Sequence, residues 1–138
     1  MIQMKIMIAS DIHGSEFYCK KLLEAYEAEG AQRLLLLGDI LYHGPRNDLP
    51  EGYAPKKVIE LLNAMKNELM CVRGNCDTEV DQMVLKFPIL ADYAVLCEGG
   101  RLIYLAHGHR EKPPMGEIVA DEVFPHTVFT LFGYDISM

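Results

Sequence analysis

Asp11 and His13 flank Ile12 one residue after the apolar run Ile6-Met7-Ile8-Ala9. The run reads as a buried strand, so the pair falls where a strand gives way to a loop. Open α/β sheets bind ligands at the carboxyl ends of their strands. Two residues apart on extended backbone, an Asp and a His project to the same side. A carboxylate oxygen and an imidazole nitrogen facing one space suit a divalent ion such as Mn2+, Fe2+ or Zn2+. Taken alone, the same pair serves equally well to cap a helix or close a turn.

Three more apolar runs end in the same way. Leu34-Leu35-Leu36-Leu37 ends in Gly38-Asp39, and Leu69-Met70-Cys71-Val72 ends in Arg73-Gly74-Asn75-Cys76-Asp77. Leu102-Ile103-Tyr104-Leu105-Ala106 ends in His107-Gly108-His109. Each delivers an oxygen or nitrogen donor to one edge, and a glycine stands close by at 14, 38, 74 and 108. Glycine lets backbone turn sharply and approach a ligand closely. Singly, Asp39 reads as a cap, Asn75 as a left-handed turn residue, and His107 as a half-buried ring bonded to backbone. Four such ends in succession read better as one cation-holding edge.

The elements that must position these donors are legible from periodicity. Ile6 to Ala9 is the first strand. Ser15 to Gly30 reads as a helix with Tyr18, Leu22, Ala25 and Tyr26 on one face, stopped by Gly30. Leu34 to Leu37 is continuous rather than alternating, as expected of a strand buried on both faces. Residues 40 to 54 hold Gly44, Pro45, Pro50 and Gly52 and read as a loop. Pro55 opens a helix at its first turn, with Val58, Leu61, Leu62 and Met65 as its apolar face. Leu69 to Val72 is the third strand. The β-α-β-α-β order predicts parallel strands. Ala94 to Cys97, Gly99-Gly100 and Leu102 to Ala106 then read as a hairpin with a glycine turn, a second sheet packed on the first.

Composition sets the class. The chain has 138 residues, half of them hydrophobic, enough for a folded core. No apolar stretch has the length of a membrane span. Met1 to Ser10 lacks a basic leader and a cleavage site, so it reads as strand rather than signal peptide. Cys19, Cys71, Cys76 and Cys97 show no paired spacing, and reduced thiols in a cytoplasmic protein are expected. Thirteen basic against twenty acidic residues give a net charge of −7. That sign disfavours general nucleic-acid binding, while leaving room for one small phosphorylated substrate.

The series D-x-H, G-D, G-N-x-D, H-G-H resembles the calcineurin-like metallophosphoesterase superfamily. The stretches Gly38 to Asn47 and Arg73 to Asp77 are most similar to its YfcE-like branch of small bacterial phosphodiesterases. The resemblance runs from about Lys5 to His109. It implies a metallophosphoesterase-like β-sandwich flanked by helices, in four layers α/β/β/α. It implies two divalent metal ions, Mn2+ foremost, with Zn2+, Fe2+ and Ni2+ as alternatives. Asp11 and His13 would hold the first, Asp39 would bridge both, and Asn75 and His107 would hold the second. Asp39 and Asn75 would thereby position a hydroxide shared by metals roughly 3.5–4 Å apart, which attacks a phosphodiester. Cys76 stands where many relatives carry a histidine that aids the leaving group, and the YfcE-like branch resembles this chain in having cysteine there. Its plainer reading is a small buried residue behind the site.

Around that set lie secondary candidates. Asp77 is expected either to orient His107 as an outer carboxylate or to cap a short helix near Glu79 to Gln82. His43 and Arg46 are candidates for substrate binding, since arginine suits bidentate phosphate contact; a solvated loop is the other reading. Arg73 reads as structural, acting through backbone carbonyls. His109 could face the same pocket as His107.

From Arg110 the family pattern is not matched. A G-H-x-H segment that would complete both metals is absent, and Phe124-Pro125-His126-Thr127-Val128 offers only His126 as a ligand. The chain is thus read as one metallophosphoesterase-like domain, well matched over 1–109, with a divergent or truncated tail over 110–138 and a shortened second sheet. An open sheet edge invites pairing with another chain, so a homo-oligomer is conceivable, with Val128 to Phe132 as the pairing run. Two functions of different class follow: a metal-dependent phosphodiesterase, or a catalytically impaired or non-enzymatic scaffold on the same fold.

Overall fold

The structure, a computed structural model, describes residues 5–98, 101–109 and 131–132. The element order is β1 (Ile6–Ala9), α1 (Glu16–Ala28), β2 (Arg33–Leu36), α2 (Pro55–Asn63), β3 (Leu69–Cys71), α3 (Glu79–Val84), β4 (Ala94–Glu98), β5 (Arg101–Leu105) and β6 (Leu131–Phe132). The first three strands are the three read from sequence, with ends moved by a residue. They form a parallel sheet in the order β3-β2-β1-β6. Ile8 pairs Leu35, and Leu35 pairs Met70, so the three carboxyl ends emerge on one edge.

The two faces of this sheet follow from strand alternation. Met7, Ala9, Leu34, Leu36 and Cys71 face a core shared with Cys19, Leu22 and Tyr26 of α1 and Val58 and Leu62 of α2. Ile6, Ile8, Leu35 and Val72 face the other way, onto Ile103 and Leu105 of β5. Leu34, Leu35 and Leu36 are at most 3 % exposed, the two-faced burial that their continuous run predicts. Each such leucine contributes about 1.5–3 kcal/mol of burial. Helices, parallel sheet and hairpin thus make an α/β/β stack; the second helical layer that the resemblance implies is not among the described residues.

Local chemistry sets the helix ends. The Ser15 hydroxyl accepts from the Tyr18 amide at 3.0 Å, and its own hydrogen goes to the Glu51 carbonyl at 2.6 Å. The buried stripe of α1 runs Cys19, Leu22, Tyr26, so Tyr18 sits only half-buried at its flank. Pro55 stands in the first turn of α2, as expected. Thr78, not Asp77, caps α3: the Thr78 hydroxyl accepts from the Asp81 amide while Asp81 accepts from the Thr78 amide. This reciprocal pair is a capping box.

β4 and β5 pair antiparallel, Ala94 with Leu105 through to Glu98 with Arg101. The hairpin is therefore present, while its Gly99-Gly100 turn lies outside the described residues. Leu131 and Phe132, part of the run expected to pair with another chain, pair instead in parallel with Ile8 and Ala9 of β1. The other tail residues, His126 among them, lie outside the described residues.

Candidate metal centre at the strand ends

Asp11, His13 and Asp39 all take positive φ, at 62°, 50° and 57°. The extended backbone expected across Asp11-Ile12-His13 is therefore absent. The reason lies in hydrogen bonding. Past Ala9 the chain keeps pairing with the β2 side, through Asp11 N to Gly38 O at 3.0 Å, His13 N to Asp39 O at 2.9 Å and Gly14 N to Ile40 O at 2.8 Å. Left-handed turns let these amides reach their acceptors and still aim both side chains inward. Asp and His are among the residues that tolerate this region best. The outcome expected from alternation survives by another route: His13 Nε2 lies 3.1 Å from Asp11 Oδ1.

The β2 and β3 loops are locked together by Asp77. Its carboxylate is 2 % exposed and accepts from Asp39 N at 2.8 Å, Ile40 N at 3.0 Å and Gly74 N at 2.7 Å. Neither expected role of Asp77 holds. The Thr78 side chain caps α3, and His107 is oriented by a backbone carbonyl instead. Asp77 acts as a brace, satisfying three buried amides that the loops leave without backbone partners. The glycines serve the same approach. A Cβ on Gly38 would stand 2.3 Å from Gly74 N, and one on Gly74 would stand 2.2 Å from Asp39 Oδ1. Arg73 donates from Nε to the Asp77 carbonyl at 3.1 Å, the structural role read for it.

Two imidazoles meet at Asp39. His13 Nδ1 is 2.8 Å from the Tyr42 carbonyl, and His107 Nδ1 is 2.7 Å from the Leu37 carbonyl. A carbonyl only accepts, so each Nδ1 carries the hydrogen and each Nε2 is directed into the site. Those Nε2 atoms lie 3.7 Å and 3.4 Å from the same Asp39 oxygen, Oδ2. The other oxygen, Oδ1, accepts from the Cys76 amide at 2.8 Å. A histidine whose far nitrogen is tied to a carbonyl is the usual arrangement of a metal ligand.

Electrostatics record how crowded the centre is. Burial outweighs the Cys76 amide and the nearby His107 and holds the Asp39 carboxyl above its ordinary value. Burial also pushes Asp11 upward, but hydrogen bonds from His13 and Ser10 outweigh it and leave that carboxyl lowered. The Asp11 hydrogen bond, working against burial, raises His13 to about 9. A proton on His13 therefore offsets part of the carboxylate charge near neutral pH. A divalent cation could offset that charge in its place, because bound cations are often the largest local charge.

Donor atoms of Asp11, Asp39 and His107 lie within 4.8 Å of one another, as do those of His13, Asp39 and Cys76. Asp39 belongs to both groups. Carboxylate oxygens with imidazole nitrogens fit a divalent transition ion. Asn75 is exposed beside the centre, its amide nitrogen 3.7 Å from Cys76 Sγ. Cys76 is only partly buried and faces the donors, rather than lying behind the site. Burial first, then Asp39, Asp77 and Asp11, push its thiol up to about 11, while Arg46 draws it down.

The loop carrying His43 and Arg46 borders the centre. Arg46 is exposed and acts on the Cys76 thiol. A Cβ on Gly44 would lie 3.5 Å from Cys76 Sγ, and the Asn47 side chain donates to the His43 carbonyl at 2.9 Å. The His43 ring stands 4.8 Å from that of Tyr42 and 5.4 Å from that of Tyr53. Its Nδ1 is buried with no hydrogen-bond partner among the described residues. His109 is exposed, packed edge-on against His107 at 5.2 Å. Sequence reasoning missed the carbonyls of Leu37 and Tyr42 and the three hydrogen bonds that Asp77 accepts, because backbone partners leave no side-chain signature.

Comparison with known proteins places the chain in a family. Residues 4–134 match the family described as the calcineurin-like phosphoesterase superfamily domain. Phosphodiesterase YfcE of Escherichia coli K12 is 58% identical over 107 residues, which is 77% of this chain and 58% of that protein. The same protein from E. coli O157:H7 gives the same figures. The chain thus spans under two thirds of the length of these curated relatives. A solved structure of the E. coli phosphoesterase Yfce superposes with a TM-score of 0.74 at 53% identity, covering 75% of this chain and 57% of that one. This chain belongs to the calcineurin-like phosphoesterase superfamily.

Proposed function

We propose that this chain is a metal-dependent phosphoesterase that hydrolyses phosphodiesters of small molecules. One observation carries the reading: two imidazole Nε2 atoms, each fixed through Nδ1 to a backbone carbonyl, converge on one buried Asp39 oxygen. The phosphodiesterase names of the YfcE relatives support the reaction class. Two divalent ions, Mn2+ foremost, would be held with Asp39 between them, by Asp11 and His13 on one side and Asn75 and His107 on the other. Bound there, they would polarise a phosphoryl group and make water nucleophilic near neutral pH.

The chain's own residues do the rest. Asp77 and the Cys76 amide hold the Asp39 backbone and carboxylate in place, so that this carboxylate need not reorganise during reaction. Leu37 and Tyr42 fix the tautomer and direction of the two histidines. Arg46, close enough to the centre to act on the Cys76 thiol, would meet a phosphoryl oxygen of the substrate. His43, held between Tyr42 and Tyr53, would line the same approach. The test is hydrolysis of bis(p-nitrophenyl) phosphate by cation-stripped protein with and without added Mn2+. Activity that needs Mn2+ and is lost in Asp39→Asn, with the fold retained, is expected. Equal activity in that variant would overturn the assignment.

A further inference from the structure

We propose that the cleft between the 40–54 loop and α3 is a subsite for one ester group of the substrate, and that this group is a planar, uncharged ring. The proposal rests on the phosphodiesterase reading above and names the substrate class that reading leaves open. The cleft encloses about 270 Å3 and is lined by Leu41, Tyr42, Tyr53, Ile59, Val80 and Val84. Lys56 and Asp81 also line it, with opposite charges. Those charges offset, which disfavours a second phosphate there and suits a neutral group. Apolar cavities of about 150 Å3 already admit a benzene ring, so one ring has room. Tyr42, Val80 and Val84 are 39 %, 68 % and 43 % exposed. Adjoining apolar surface left open to solvent in this way marks a binding groove.

Both walls of the cleft are continuous with the strand-end centre. On one side the Tyr42 carbonyl accepts from His13 Nδ1 at 2.8 Å. The Tyr53 ring lies against the same loop, so that a Cβ on Gly14 would stand 2.7 Å from it. On the other side α3 begins two residues after Asp77, whose carboxylate holds the amides of Asp39 and Gly74. The loops that carry the donors are thus the loops that build the cleft. An ester arm of a phosphoryl group held at the centre would run past Tyr42 into it. His43 packs on both tyrosine rings, and its buried Nδ1 has no hydrogen-bond partner among the described residues. A buried polar atom of this kind calls for a partner, and a heteroatom of the bound ester would supply one.

The test is a methyl-NMR titration of the full chain in Mg2+, which is diamagnetic, with three diesters. They are methyl phenyl phosphate, the methyl phosphodiester of thymidine, and dimethyl phosphate. A ring in the cleft moves the methyl resonances of Ile59, Val80 and Val84 by its ring current, and dimethyl phosphate has no ring. We expect the ring-bearing diesters to shift these methyls and to bind at least about 10-fold more tightly than dimethyl phosphate, the gain that burying a Phe-sized group brings. The tighter of the two names the source of the ring, a nucleobase or a simple aryl group. Val84→Arg fills the cleft from an exposed position on α3 and should bring the preference down toward one. Val80→Arg does the same from the rim, should the first variant lose its fold. Equal affinity for all three diesters, unshifted cleft methyls, or a ring preference that persists in both variants would overturn the proposal while leaving the phosphodiesterase reading intact. Shifted cleft methyls in a chain without Mn2+-dependent hydrolysis of bis(p-nitrophenyl) phosphate would overturn that reading, and the proposal with it.

Discussion

Replacing Asp77 by asparagine removes one oxygen from a group that serves three buried amides. Oδ2 accepts from Asp39 N and Gly74 N, and Oδ1 accepts from Ile40 N. The best amide orientation keeps its oxygen at the Oδ2 position. Its NH2 group then faces the Ile40 N–H, donor against donor, across the 3.0 Å that Oδ1 now spans. A buried donor left without a partner costs about 1–3 kcal/mol, and the two retained bonds lose part of their charge-assisted strength. The expected destabilisation of Asp77→Asn is therefore about 2–4 kcal/mol. For a chain of this length that is a fall in Tm of roughly 7–14 °C. Differential scanning calorimetry measures it on cation-stripped protein. Because Asp77 sets the backbone of Asp39, Mn2+ affinity measured by titration calorimetry should weaken as well. A Tm within about 2 °C of the unsubstituted chain, with unchanged affinity, would refute the bracing role, since such a loss lies below the cost of one orphaned amide.

Three further outcomes follow from the same contacts. Gly74→Ala places a methyl 2.2 Å from Asp39 Oδ1; it should displace that carboxylate and cut cation affinity by more than about 10-fold, read by titration calorimetry. His13 is raised from 6.5 to about 9 in the cation-free chain. Its contribution to stability is full below pH 6.5 and is lost as pH rises through 9, so melting curves of the stripped protein should decline over that window. Over the same window cation affinity should rise, with proton release visible as buffer-dependent binding heat, because the ligand must be deprotonated. Leu35→Ala, in the layer between β1, β2, β3 and β5, should cost about 2–5 kcal/mol by denaturant unfolding and leave cation affinity nearly unchanged.

The strands were legible because burial writes itself into composition: a short continuous run such as Leu34 to Leu37, bounded by Gly38, reads as a strand covered on both faces. The donors were legible because they follow those runs directly. Their geometry was not. Alternation put Asp11 and His13 on one side by extended backbone, whereas the amides of Asp11, His13 and Gly14 fold the loop onto Gly38, Asp39 and Ile40. Glycines 38 and 74 were read as places where backbone nears an ion, yet their Cβ positions are filled by the opposite loop. Contact between segments far apart in sequence leaves no local periodicity. For the same reason Asp77 read as a helix cap or a histidine partner, although two of its three donors, Asp39 and Ile40, lie on the loop after β2 and the third, Gly74, on its own. Cys76 read as a packing residue because nothing local places a thiol beside His13 and Asp39.

The central claim is that the strand ends of this chain form a paired cation site with Asp39 between its two positions. Titration calorimetry with Mn2+ on the stripped chain and on Asp39→Ala tests it most directly, read as ions bound per chain. Two ions in the unsubstituted chain, and loss of both when Asp39 is removed, is the predicted result. Binding of one ion that survives Asp39→Ala, or no binding by a chain that still melts cooperatively, would contradict it.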